Sequence, residues 1–185
     1  MKKFLVVILM VGLFALCAQA TPNLSLIPSS GTVSGSPAAT VGWGFTLQND
    51  DPNDWLVLND SYFTPSNTLG FDSTYTDLIA SQFVIVDPGS STGPQWYDPN
   101  APTGIGSLTL PSTAPEGQYA MGTIFLDYSV FSQDPNDPNF DPNSFVGTGL
   151  LSADANVQVP EPSSAMMLLG AAPLLLGTVR RKLWR

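Results

Sequence analysis

Asp-Pro-Asn occurs five times in this chain, at 51–53, 98–100, 134–136, 137–139 and 141–143. Three copies run together from Asp134 to Asn143, and they bring Asp134, Asn136, Asp137, Asn139 and Asp141 within eight residues. Side-chain oxygens in that density are the donors of a hard cation, and calcium takes six to eight of them, some from carbonyls and water. The spacing is not that of an EF-hand loop. No glycine stands at the sixth position, and the twelfth is Phe145 rather than an acid. A second, sparser candidate is Asn49-Asp50-Asp51-Pro52-Asn53-Asp54, and a fold that brought both loops to one end would let them share an ion. The same residues also have a plain reading as stiff surface loops. Proline fixes φ near −65° and excludes helix for the residue before it, while Asp and Asn close turns on nearby backbone.

The charge pattern narrows the remaining chemistry. Fourteen of the fifteen acids lie within residues 21–159 and all six bases lie outside them, so this stretch carries −14 with no lysine, arginine or histidine. Nucleic acid and anionic lipid head groups are therefore poor partners, because both need Lys or Arg to replace counterions. Serine and cysteine triads have no base to use. Zinc and copper sites built on histidine or cysteine are excluded as well. Internal salt bridges cannot form, so the carboxylates must be solvated, gathered around a hard cation, or met by a cationic partner. No cofactor is required, and calcium is the ligand to test. The expectation is a protein that is not an enzyme. The one catalytic alternative is a glycosidase working through two carboxylates, and fourteen acids make some close pair inevitable.

The elements that would position these residues read as strands. Apolar and β-branched stretches recur between Gly, Pro, Asn and Asp clusters, and no helical periodicity precedes the C-terminal region. Strands are predicted near Asn23–Ile27, Thr40–Gln48, Trp55–Phe63, Ser81–Val86, Ile105–Leu110, Gln118–Ser132 and Thr148–Val159. In the sixth, Ile124, Leu126 and Tyr128 share one face while Thr123, Phe125 and Asp127 share the other. Tyr75–Ala80 reads as a helical turn, and Pro28–Pro37 as a loop. Seven strands without cysteine predict an immunoglobulin-like antiparallel β-sandwich. Val41 to Asn49 resembles the strand-ending-in-Asn pattern of bacterial surface sandwich modules. Trp43, Trp55 and Trp96 read as core or strand-end packing residues. A carbohydrate-binding module would instead set them in an exposed row.

Both ends of the chain carry addresses. Met1-Lys2-Lys3, the apolar run Phe4–Leu16 and Ala18-Gln19-Ala20 have the form of a signal peptide over residues 1–20, cleaved after Ala20. Leu16 before Cys17 is too large for a lipobox, so Cys17 leaves with the leader. Residues 21–159 then form an exported, cysteine-free ectodomain that must fold on its core alone. At residues 160–185, Pro160-Glu161-Pro162 precedes an apolar run from Ala165 to Val179 and the basic end Arg180-Arg181-Lys182-Leu183-Trp184-Arg185. Fifteen apolar residues rise roughly 22 Å as a helix, short of a hydrocarbon core of about 30 Å. Pro173 weakens that helix further. Arg180, Arg181, Lys182 and Arg185 would hold the end on the cytoplasmic side.

This order of parts resembles the PEP-CTERM sorting tail of bacterial exported proteins, a tail also labelled an ice-binding protein C-terminal domain. The second label belongs to the sorting signal and implies no ice binding. The resemblance implies export across the inner membrane and transient anchoring through a single C-terminal transmembrane helix. An exosortase-like membrane protease would then read Pro160, Glu161 and Pro162 and pass the product to the cell surface or extracellular matrix. The expected role is structural or adhesive, with exopolysaccharide or calcium as ligands of the ectodomain and no nucleic acid.

Overall fold

The computed structural model describes residues 21–66 and 73–161. Within them the chain forms β1 (Asn23–Ile27), β2 (Thr32–Ser34), β3 (Thr40–Gln48), β4 (Trp55–Pro65), β5 (Thr74–Asp77), β6 (Ile85–Val86), β7 (Gly106–Thr109), β8 (Tyr119–Phe131) and β9 (Phe145–Gln158). One sheet has the order β1-β3-β7-β5 and the other β2-β9-β8-β4-β6. The domain is an all-β sandwich.

Period-two alternation decides which side chains enter it. Val41, Trp43, Phe45 and Leu47 of β3 are buried, and so are Ile124, Leu126 and Tyr128 of β8. They meet Leu56, Leu58, Val86, Ile105, Leu108, Val157 and Val159 in one core. The Trp43 indole nitrogen is satisfied there by donating to the Gly31 carbonyl at 2.8 Å, as a buried indole requires. On β4 the alternation changes phase at a β-bulge between Leu58 and Asp60. Leu56 and Leu58 face inward before it, Ser61 and Phe63 after it. An extra residue in one strand has this effect.

Four expectations are corrected. The sandwich is not wholly antiparallel, because β2 runs parallel to β9, with Thr32 opposite Asn156 and Ser34 opposite Gln158. The chain crosses from one sheet to the other after β1 and keeps its direction, so the stretch read as a loop over Pro28–Pro37 contains a strand. Thr74–Asp77 is a strand paired with β7 rather than the start of a helical turn. The predicted strand Ser81–Val86 shrinks to Ile85–Val86. Its first residues are drawn into a turn, where Asp77 accepts from the Ile79 and Ala80 amides and Gln82 donates to the Leu78 carbonyl.

The strand directions give the domain two poles. β8 begins and β9 ends at one pole, beside the 35–39 and 110–118 segments. β1 begins and β3 ends at the other, beside the 49–54 and 133–144 loops.

Candidate functional site

The first pole carries the start of the sorting sequence. Gln158 is still a sheet residue, opposite Tyr119 on one side and Ser34 on the other. Val159 is fully buried, accepts from the Gly117 amide and donates to the Gln118 carbonyl, each at 2.9 Å. Two residues thus oppose one, and the first is a glycine at φ +74°. That is the glycine-led form of β-bulge, a conformation other residues adopt only under strain. Pro160 and Glu161 follow at once and are exposed. The Glu161 side chain lies over the bulge, since a Cβ on Gly117 would sit 3.2 Å from its Cγ. Pro162, Arg180, Arg181, Lys182 and Arg185 lie outside the described residues, as do Ala18 and Ala20 of the expected cleavage site and the apolar run 165–179. Among the described residues no helix is long and apolar enough to cross a membrane.

The second pole gathers four of the five Asp-Pro-Asn copies, in the 49–54 and 133–144 loops, while the copy at 98–100 pairs Asp98 with Thr103 beside Gly42 of β3. In all five copies the aspartate Oδ1 accepts from the backbone amide of the asparagine two residues on, at 2.7–2.9 Å. This Asx geometry is what the Asp and Asn flanking a proline favour. Gln133 braces the triple copy by donating to the Asn139 carbonyl and accepting from the Asp141 amide. Phe140 packs edge-on against Phe131, which meets Phe145 in the same way. Asp134 is half-buried, while Asn136, Asp137, Asn139 and Asp141 are exposed. The 49–54 loop reaches the same pole, where Asp51 and Asp54 line a cleft with Tyr128, Val146 and Thr148. Partial burial, then the Asp51 charge, raise the Asp54 pKa above its ordinary value. Among the described residues no three His, Cys, Asp or Glu side chains come together as metal ligands.

Asn49 closes the strand β3 and explains the pattern it resembles. It is fully buried. Its amide nitrogen donates to the carbonyls of Asp54, Val86 and Asp87, and its oxygen accepts from the Asp51 amide. One side chain therefore ties the 49–54 loop to the end of β6.

Two polar groupings had no sequence signal, because strand register creates both. The β4 bulge sets Asp60 opposite Asp127 on the outer face. Loss of hydration, a side-chain hydrogen bond with Asp127 and the nearby charges of Asp127 and Asp77 raise the Asp60 pKa. Between the sheets, the Ser61 hydroxyl is 2.6 Å from Asp77 Oδ1, 2.7 Å from the Ile105 carbonyl and 2.9 Å from the Tyr75 hydroxyl. Burial pushes the Tyr75 pKa upward. Ser61 is buried between the sheets and its hydroxyl is held by Asp77, Tyr75 and the Ile105 carbonyl, so the grouping is a polar cross-link.

The tryptophans do not form a row. Trp43 is wholly inside, Trp55 is half-buried and Trp96 is 67% exposed. The reading of Trp96 as a packing residue is corrected: its neighbours do the packing. Gln95 pairs with the backbone of Phe45, and the Tyr97 ring occupies the space a side chain at Gly42 would need. Trp96 is left at the edge of a shallow groove with Ser25, Pro28 and Thr46.

Residues 158–182 match the family model of the PEP-CTERM protein-sorting motif. Such a motif marks an exported protein sorted by an exosortase, so export and association with membrane or surface follow in general terms. No curated protein matches the chain. Among solved structures the chain is similar to SSP-19, an MSP-domain protein like family member in Caenorhabditis elegans. The identity is 18% over 71% of this chain and 97% of that one, with a TM-score of 0.28.

Proposed function

We propose that this chain is a non-catalytic surface or extracellular-matrix protein, structural or adhesive in role, whose acidic sandwich is delivered by its C-terminal tail. The carrying observation is the sorting motif matched at residues 158–182, which begins on the last strand of a domain without a single base. An exosortase-like protease would read Pro160, Glu161 and Pro162, with the apolar run 165–179 serving as a temporary anchor and the basic end keeping its orientation. The strand orders support an immunoglobulin-like sandwich. β1-β3-β7-β5 follows the A-B-E-D order and β4, β8 and β9 the C-F-G strands, with β2 and β6 added at the edges.

A non-catalytic role is supported by the carboxylates themselves. Asp60 and Asp127 share a hydrogen bond on an open sheet face, closer than the about 5–9.5 Å that glycosidase chemistry uses. The motif is tested by replacing it: Pro160→Ala, Glu161→Ala and Pro162→Ala together should leave the tail attached, as read by intact mass. Unchanged tail loss would remove the motif from the mechanism.

For the opposite pole, donor chemistry fits only a hard cation, and calcium is the proposed ligand of Asp134, Asn136, Asp137, Asn139 and Asp141. Thermal unfolding of residues 21–161 in EDTA, millimolar calcium and magnesium at equal ionic strength decides it. A rise specific to calcium assigns binding to the native state. Equal melting in all three leaves the loops as rigid surface.

A further inference from the structure

We infer that the sorting protease recognises Pro160-Glu161 together with the adjoining turn Pro111–Gln118 as one folded surface, rather than as a free extended peptide. The inference rests on the sorting role proposed above and deepens it.

A peptide enters a protease cleft extended, offering main-chain groups on both edges and side chains on both faces. The residues upstream of Pro160 cannot do this while the domain is folded. Val157 and Gln158 are hydrogen-bonded into the sheet between β8 and β2. Val159 is fully buried and bonded through both its amide and its carbonyl to the Gly117-Gln118 bulge. No spacer separates the last core side chain from the first residue of the motif.

What is accessible at that point is composite. On one strand the chain leaves the bulge as Pro160-Glu161. On the other it arrives as Pro115-Glu116. The same dipeptide therefore stands on both sides of the exit, and all four residues are exposed. The turn is anchored from below by the buried Leu110 and Ala114 and by the Ala114 amide donating to the Pro111 carbonyl. Gly117 has no side chain to hold Glu161 away from it. Two carboxylates beside two prolines, in a domain with no base, fit a membrane-embedded partner that presents cationic side chains.

The full chain, expressed where its tail is processed, tests this with three variants scored by the rate of tail loss. A Gly-Ser-Gly-Ser spacer between Val159 and Pro160 keeps the motif and its distance to the apolar run but lifts it off the turn. Processing should slow about tenfold, and the melting temperature of residues 21–161 should not change. Processing at the original rate or faster overturns the inference, because a free peptide would then suffice. Glu116→Gln should slow tail loss several-fold with the fold intact, and an unchanged rate would remove the turn's charge from recognition. The triple alanine replacement of the motif separates the two levels. If it too is processed normally, the sorting role itself fails. If it blocks processing while the spacer does not, only the composite surface fails.

Discussion

Asp60 and Asp127 show how little a side chain's identity says about its behaviour until its neighbour across the sheet is known. Neither is remarkable in sequence, and their meeting depends on one bulge residue in β4. The Asp60 pKa is raised in the folded domain, so the native state binds protons that the unfolded chain has released. Stability from this pair is therefore greatest at low pH and falls as pH rises through the interval just above the ordinary aspartate value. Asp127→Asn keeps a hydrogen-bonding group and removes the repulsion. It should raise stability at pH 7 by about 0.5 kcal/mol, a small figure because both side chains reach solvent. That gain should fade near pH 4. Chemical denaturation at both pH values is the measurement, and a variant no more stable than the parent at pH 7 would contradict the assignment.

At the scale of elements, legibility followed the strength of the local pattern. β1 and β3 have the predicted bounds because an apolar, alternating run ends at turn residues on each side. β8 was legible from the two faces of Thr123 to Tyr128, which divide as predicted, and the structure buries the Ile124, Leu126 and Tyr128 face. β2 and β5 were not, since Thr32-Val33-Ser34 and Thr74-Tyr75-Thr76-Asp77 are short and mostly polar. They become strands only because β9 and β7 offer them an edge. The Asp-Pro-Asn turns were visible residue by residue, yet that two such loops share a pole is a property of topology. Pro-Glu stands at 115–116 and again at 160–161, but nothing local says that Glu161 comes to lie over Gly117. Asn49 belongs at this scale, since it joins one loop to another element. Asn49→Ala would leave the buried Val86 carbonyl and the partly buried carbonyls of Asp54 and Asp87 without this donor and should cost about 2 kcal/mol. A urea midpoint indistinguishable from the parent would show that water replaces the side chain freely.

In the whole molecule, the charge and the poles act together. A domain of −14 without bases gains nothing from ion pairs, and its compactness depends on the core that Trp43, Phe45, Leu126 and Val157 help to fill. Its sorting sequence leaves from one end, and the 49–54 and 133–144 loops, with four of the five Asp-Pro-Asn copies, crown the other. At roughly 3.3 Å per residue, the fourteen residues of β9 separate those ends by about 45 Å. An anchored precursor would hold the loops several Debye lengths from the bilayer surface.

The same separation has a mechanical meaning. Residues 21–22 and 160–161 stand at opposite poles, so tension between them runs along β1 and β9 rather than across them. The β8–β9 ladder, from Tyr119 opposite Gln158 to Phe131 opposite Phe145, would be loaded in shear, with its hydrogen bonds resisting together. Pulling a single molecule by residues 21 and 161 should require more force than pulling it by 118 and 160, where the ladder opens one pair at a time. Equal rupture forces would show that the ladder does not bear the load. With that geometry the strand that delivers the tail is also the one best placed to keep the domain folded while something tugs on it.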